Sequence, residues 1–287
     1  MNAVTTVFNI NKRHIELDIA AENIGPGPDC IQFLEDESPV KYANWIQEGF
    51  VVSKFLSTED FLNIKKSITA VILSYLEKLN IDTTGFVLEK YHEFVSTEQH
   101  LALIDQIRAG SSGTGGISFE YLGVPTELLD KEASKICNTA VTCEKIFTLQ
   151  NNKTYKVGHF FVRIVRPGTQ KDNNPPHKDT YITHLKNAVN LYYPIVGSDE
   201  NSSLPILPGS HLWSEKDIVR THGNTTVNGV KYNVPAVLYS TYGLRLITPN
   251  PKYGEAMFFT PYAIHGGGIN FNTDTTRMSL EIRFWKV

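Results

Sequence analysis

Apolar residues recur at helical spacing in three segments of the first half of the chain. After Ser57-Thr-Glu-Asp, the residues Phe61, Ile64, Ile68, Val71, Ile72 and Tyr75 fall three or four apart, which predicts an amphipathic helix capped by Ser57 and reaching Leu79. The same spacing in Leu101, Ile104 and Ile107 predicts a helix over residues 98–108. Leu128, Leu129, Ala133, Ile136 and Cys137 predict another, starting after Pro125 and running toward Lys145. A short strand is expected at residues 49–54, and the first half reads as mainly helical.

From Tyr155 the pattern changes. Residues 159–166, 188–195, 255–260 and 277–285 are short runs rich in Val, Ile, Phe and Tyr, separated by Gly, Pro and Asn turns. No βαβ rhythm, internal repeat or linker interrupts them. The expected fold class is therefore mainly β with supporting α-helices: one domain over 1–287, its helix-rich portion 1–150 packed on a strand-rich core 155–287.

Composition narrows the partners. The 287 residues carry 27 basic and 30 acidic side chains, a net charge of -3, so no global attraction toward nucleic acid or an anionic membrane is available. A small-molecule partner is expected, and an anionic one must be met by local Arg or Lys. Cys30, Cys137 and Cys143 show no C-x-x-C spacing, which argues against a disulfide framework and suits a reducing compartment. The opening residues lack an uninterrupted apolar segment, so neither a signal peptide nor a membrane span is expected and the cytoplasm is the expected location. The Gly-rich stretch 110–116 lacks the Lys-Ser/Thr of a phosphate loop and reads as a flexible connection.

In Pro175-Pro176-His177-Lys178-Asp179, an extended backbone puts His177 and Asp179 on one side. The triplet alone is weak, because nine His among thirty acidic residues produce about one such match by chance, and His14-Ile15-Glu16 is another. His265 strengthens it, lying in Ala263-Ile264-His265-Gly-Gly-Gly268 just after Phe258-Phe259-Thr260-Pro261. Two imidazoles and one carboxylate on one face of an octahedral iron leave three adjacent positions for a chelating organic ligand and dioxygen. Arg277-Met278-Ser279 then opens the last strand with a guanidinium and a hydroxyl on one face, able to grip a carboxylate, while Met278, Leu280, Ile282 and Phe284 form the apolar face. Arg283 shares the parity of Arg277 and is a rival for that grip. Taken one at a time, the same residues also read as strand-end histidines, a turn cap and an edge-strand cation.

The complete pattern resembles the phytanoyl-CoA dioxygenase-like family of Fe(II)/2-oxoglutarate-dependent oxygenases. The resemblance covers Glu48-Gly-Phe-Val-Val52 with the helix after it, His177-x-Asp179, Leu207-Pro-Gly-Ser-His211, His265 and Arg277-x-Ser279. It implies a double-stranded β-helix, or jelly roll, in which His177, Asp179 and His265 bind iron, Arg277 pairs with the distal carboxylate of 2-oxoglutarate and Ser279 assists by a hydrogen bond. Asn190 and Tyr192 alternate on the strand that flanks the cosubstrate in the family, with Tyr192 at the matching position, and Arg163 on the preceding strand is expected to reach the same cavity. Fe(II), 2-oxoglutarate and O2 are the implied cofactor and cosubstrates. The implied reaction oxidises a small organic molecule with release of succinate and CO2, and a carboxylate at Asp179 favours hydroxylation over halogenation.

Residues 197–205 lack the Glu-Asn-Gly triplet common in the family, and His211 is expected to hold its turn instead of a metal. A second reading is a noncatalytic jelly-roll protein that binds a carbohydrate or metabolite on Tyr192, Tyr193, Trp213, Tyr232, Tyr239 and Tyr262. No sequence signal identifies the substrate or the oligomeric state.

Overall fold

The strand Ala188–Val196 runs through a seven-stranded antiparallel sheet, between Glu255–Phe259 on one side and Arg277–Lys286 on the other. All nine of its residues are buried, so both faces are covered and the polar alternation of a half-exposed strand is missing. Phe50–Lys54 extends the sheet beyond Glu255–Phe259; His159–Val165 and then Ile117–Ser118 extend it beyond Arg277–Lys286. These are the strands expected from residues 49–54, 159–166, 188–195, 255–260 and 277–285, within one or two residues at each end. The computed structural model describes all residues except 1, 28–37, 110–115, 149–153, 169–171, 173, 182–184, 224 and 233. Cys30 and most of the Gly-rich stretch 110–116 thus lie outside the described residues.

One face of this sheet carries helices. Leu191, Tyr193, Phe258, Met278, Leu280, Ile282 and Phe284 join Phe61, Ile64, Ile68, Ile72 and Leu76 of the helix Thr58–Lys78 in a single apolar cluster. That helix starts where Ser57 Oγ accepts a hydrogen bond from the Asp60 amide at 3.1 Å. Its isoleucines are indifferent helix formers. The force holding it is burial, about 1.5–3 kcal/mol for each large apolar side chain removed from water. The helices Thr97–Ala109 and Thr126–Cys137 complete the layer with Leu103, Ile107, Leu129 and Ala133. The last ends at Cys137, short of Lys145, because Asn138 turns left-handed at φ 55°; Lys145–Thr148 pairs instead with Thr154–Val157.

The N-terminus overturns the expectation of a helix-rich portion 1–150. Asn2–Ile10 and Arg13–Ala21 form an antiparallel hairpin turned by Asn11 and Lys12, both with positive φ, which matches the twist of paired strands. Phe8, Ile10, Ile15, Leu17 and Ile19 point into a second core with Ile218, Val237, Leu246 and Ile264. The long helices occupy 58–137, and the hairpin belongs to the other β layer. That layer holds a five-stranded sheet, ordered Val230–Tyr232, Thr225–Val227, Arg13–Ala21, Asn2–Ile10, Arg245–Leu246, and a three-stranded one of Val237–Ser240, Ile218–His222 and Asn23–Gly25. The two layers enclose a jelly roll, and Asn190, Arg277, Ser279 and Arg283 face its interior because their neighbours face the helices.

Candidate metal centre

His177 and His265 are joined through their backbones. The His177 amide donates to the His265 carbonyl at 2.9 Å and the His265 amide returns the bond at 3.0 Å. Two distant segments thereby present their side chains together, with ring centroids 4.4 Å apart. Gly266 permits the approach: at φ 96° it adopts a conformation that L side chains rarely take, and a Cβ there would lie 2.9 Å from the Pro175 carbonyl oxygen and 3.1 Å from His177 Nδ1.

Each imidazole is oriented by its own loop. His177 Nδ1 donates to the Pro175 carbonyl at 2.8 Å and His265 Nδ1 to the Ala263 carbonyl at 3.0 Å, which places the proton on Nδ1 and leaves the Nε2 lone pairs facing inward. Both Nε2 atoms face Asp179 Oδ1, at 3.3 Å and 3.8 Å. Burial, and then the neighbouring His177, push the His265 pKa down to about 4, keeping it a neutral donor. Phe259 packs edge-on against His265 at 4.8 Å between ring centroids.

Asp179 is held from behind. Its Oδ2 accepts from Asn190 Nδ2 at 2.9 Å and from Arg283 Nη2 at 3.2 Å. Burial, the largest influence on this carboxyl, opposes its charge, but the Arg283 guanidinium leads the influences the other way, and the carboxyl is held well below the usual carboxylate range. Arg283, a sequence-level rival for the diacid grip, therefore serves the carboxylate of the triad. Between the two triad residues, Lys178 turns the other way into a buried ion pair with Glu215 at 2.8 Å, which also accepts from Tyr181 OH at 3.3 Å. No sequence signal marks Glu215.

The ligand atoms of His177, Asp179 and His265 lie within 4.8 Å of one another, and all three residues are buried. They border a cavity of about 150 Å³ that Asn190, Arg277, Arg163, Glu281 and Arg283 also line. Arg277 Nη1 donates to Ser279 Oγ at 2.9 Å, as their shared face requires. Tyr192 stands behind this pair, its ring centroid 5.8 Å from the Arg277 guanidinium carbon, and its hydroxyl meets Ser198 Oγ at 2.9 Å without bordering the cavity. Arg163 does border it, paired with Glu281 at 2.9 Å. Sequence reasoning missed Glu281, Phe259 and Gly266. Glu281 lies on the face predicted for Arg277 and Ser279, so its parity was the available signal.

Other candidates fall away from this point. His14 and Glu16 pair at 3.4 Å on the exposed surface, with side chains 60% and 64% accessible. His211 Nε2 donates to the Ile46 carbonyl at 2.6 Å and holds its turn, as expected. The aromatics considered for a binding platform are dispersed: Tyr193 lies in the core against the helices, Tyr232 in the second core, Tyr192 between the layers, and Tyr239 is exposed.

Two imidazole nitrogens and one carboxylate oxygen suit a ferrous ion and leave half of an octahedral shell for other ligands. Asn190 Oδ1, buried without a hydrogen-bond partner among the described residues, adds a polar atom beside them. A jelly roll with this interior is the scaffold of a mononuclear non-haem iron oxygenase. The sequence matches the family model described as Phytanoyl-CoA dioxygenase (PhyH) over residues 50–279, most of its length, and the chain belongs to that family of Fe(II)- and 2-oxoglutarate-dependent enzymes. It is an oxidoreductase that uses Fe(II), 2-oxoglutarate and O2.

Among solved structures, it is similar to EctD from S. alaskensis with 2-oxoglutarate and 5-hydroxyectoine, at 13% identity and a TM-score of 0.45 over 94% of this chain and 84% of that one. The epimerase SnoN in complex with Fe3+, alpha ketoglutarate and nogalamycin RO is similar at 13% identity and a TM-score of 0.43, over 84% and 80%. No curated protein matches the sequence significantly. Among the described residues, no helix is long and apolar enough to cross a membrane.

Proposed function

We propose that His177, Asp179 and His265 hold the ferrous ion and that the enzyme hydroxylates, or otherwise oxidises, a small organic molecule with release of succinate and CO2. The observation that carries this reading is the convergence of three buried donor atoms within 4.8 Å at the wall of one cavity. With 2-oxoglutarate and O2, Fe(II) bound there supplies an oxidant strong enough for an unactivated C–H bond.

The chain's own residues orient and exclude. The Arg277 guanidinium receives the distal carboxylate of 2-oxoglutarate. Because Ser279 Oγ accepts from Arg277, its hydroxyl proton is left to donate to the same carboxylate. Tyr192 backs the guanidinium, and Asn190 fixes Asp179 so that one oxygen faces the histidines. The apolar walls, Leu204 and Phe259 among them, keep bulk water from the reacting carbon. The helices and the jelly roll act as one domain, since a single apolar cluster spans both. Cys137 and Cys143 are free thiols, which supports residence in the cytoplasm.

Anaerobic loading with Fe(II) and 2-oxoglutarate, followed by oxygen, tests the activity: succinate forms, faster when a substrate is present. The ligand assignment is tested by His177→Ala and Asp179→Ala. Each loses stoichiometric Fe(II) while circular dichroism reports the fold retained, and one-iron occupancy in either variant overturns the assignment.

A further inference from the structure

Arg163 and Glu281 meet through one contact and leave the rest of their polar edge open. Arg163 lies opposite Ser279 in the strand register, so Glu281, two residues further along, is its diagonal neighbour on the face that borders the metal cavity. Arg163 Nη2 donates to Glu281 Oε2 at 2.9 Å, while among the described residues no acceptor meets Nε or Nη1 and no donor meets Glu281 Oε1. The two side chains are 33% and 20% accessible, so a ligand in the cavity finds spare donors beside a spare acceptor.

The pair is neutral as a whole, and the acids beside it are answered as well, Asp179 by Arg283 at 3.2 Å and Asp172 by Arg166 at 2.8 Å. In the proposed site Arg277 is given to 2-oxoglutarate. Arg163 also borders a wider cavity of about 500 Å³, where Asp105 and Lys231 carry opposite charges among apolar Ile104 and Phe161 and polar His100. Arg163, Asp172, Asn174 and Val234 line both spaces, so a molecule that spans them passes the pair.

An ion fits this edge poorly. A carboxylate on Arg163 lies beside the Glu281 carboxylate, which accepts only, and an ammonium on Glu281 lies beside a guanidinium, which donates only. Each is attracted by one partner and repelled by the other. A neutral group with an acceptor and a donor on adjacent atoms satisfies both.

We propose that Arg163 and Glu281 together recognise the substrate, and that it is a neutral molecule presenting an acceptor to Arg163 and a donor to Glu281 Oε1, as a carboxamide or a vicinal diol does. Calling this ligand the substrate rests on the oxygenase reading above; the preference for a neutral group does not.

Four probes on one apolar body test it: 3-phenylpropanamide, 3-phenylpropane-1,2-diol, 3-phenylpropanoate and 3-phenylpropylamine. Each is titrated calorimetrically into metal-free protein and into protein loaded with Mn(II) and 2-oxoglutarate. In both forms at least one neutral probe binds about ten-fold or more tightly than either ion, the size of one hydrogen bond to a charged group. The tighter of the two neutral probes tells whether an amide or a diol is the source of the chemistry. Glu281→Gln removes the repulsion of the acid, which then gains on the neutral probes while the amine falls further behind. Arg163→Gln does the reverse. A loss of folding weakens all four probes together and cannot imitate either crossover, and one well-folded variant is enough to decide. An ion that binds as tightly as both neutral probes, failure of all four to bind, or a folded variant that shifts acid and amine alike overturns the inference. Protein that binds Mn(II) and 2-oxoglutarate but ranks the probes otherwise sinks this inference alone. Protein that binds neither sinks the oxygenase reading, and its metal-free ranking still decides what Arg163 and Glu281 recognise.

Discussion

Arg283 donates to Asp179 Oδ2 at 3.2 Å, and this contact decides which carboxylate oxygen faces the histidines. With Asn190 on the same oxygen, Oδ1 is the one turned toward both Nε2 atoms. Removing the guanidinium frees the carboxylate to rotate and strips the largest favourable influence on its charge. Arg283→Met is expected to weaken divalent-metal binding about 10- to 100-fold, the usual cost of losing a partner behind a metal ligand. Asn190→Ala acts in the same direction and less strongly. Spectroscopic titration with Co(II) measures both, and wild-type affinity in Arg283→Met would show that the contact is dispensable.

In the proposed site, Arg277 and Ser279 share the grip on 2-oxoglutarate. Arg277→Met removes the charge and is expected to raise the KM for 2-oxoglutarate about 10- to 100-fold, since hydrogen bonds to charged groups contribute about 1.5–3 kcal/mol. Ser279→Ala removes one neutral donor and raises it less. Steady-state succinate formation at varied 2-oxoglutarate separates the two, and equal effects would contradict the division.

Gly266 lets the two histidine segments touch. Gly266→Ala combines an unfavourable backbone conformation with a contact of 2.9 Å to the Pro175 carbonyl, so a loss of about 1–3 kcal/mol in stability is expected, together with weaker metal binding. Gly243→Ala is the control. Its φ is also positive, at 77°, but no atom lies within 4 Å of the added Cβ, so metal affinity is retained. Urea denaturation and metal titration of both variants check the contrast.

Lys178, between His177 and Asp179, is anchored through Glu215, and both side chains are 1% accessible. Lys178→Met removes the cation nearest the buried Glu215 charge, which also meets Tyr181 OH at 3.3 Å and Arg220 at 3.7 Å. A destabilisation of about 3–5 kcal/mol follows from breaking a buried pair on one side. The double replacement Lys178→Met with Glu215→Leu recovers much of that loss, measurable as the denaturation midpoint.

The site was legible wherever strand parity carried it. Met278, Leu280, Ile282 and Phe284 had to face a core, which placed Arg277, Ser279, Glu281 and Arg283 together on the other side. Parity says nothing about reach, and so it could not assign Arg283 to Asp179 and Arg277 to Ser279. That division depends on Asp179 arriving from a separate segment. The N-terminal hairpin escaped for a different reason. Phe8 and Ile10 and then Ile15, Leu17 and Ile19 alternate with polar residues, but the turn between them is Asn11-Lys12 in place of the Asn-Gly pair that announces a hairpin. Glu215 was invisible because a buried acid looks in sequence like any surface acid.

The paired amides of His177 and His265 bear on how such a centre comes to exist. Ladder bonds between two main-chain segments, together with carbonyls that seize each ring, complete the arrangement during folding, before any cation arrives. The entropic toll of assembling the cage is charged to the polypeptide, and an incoming ion inherits a receptacle already shaped for it.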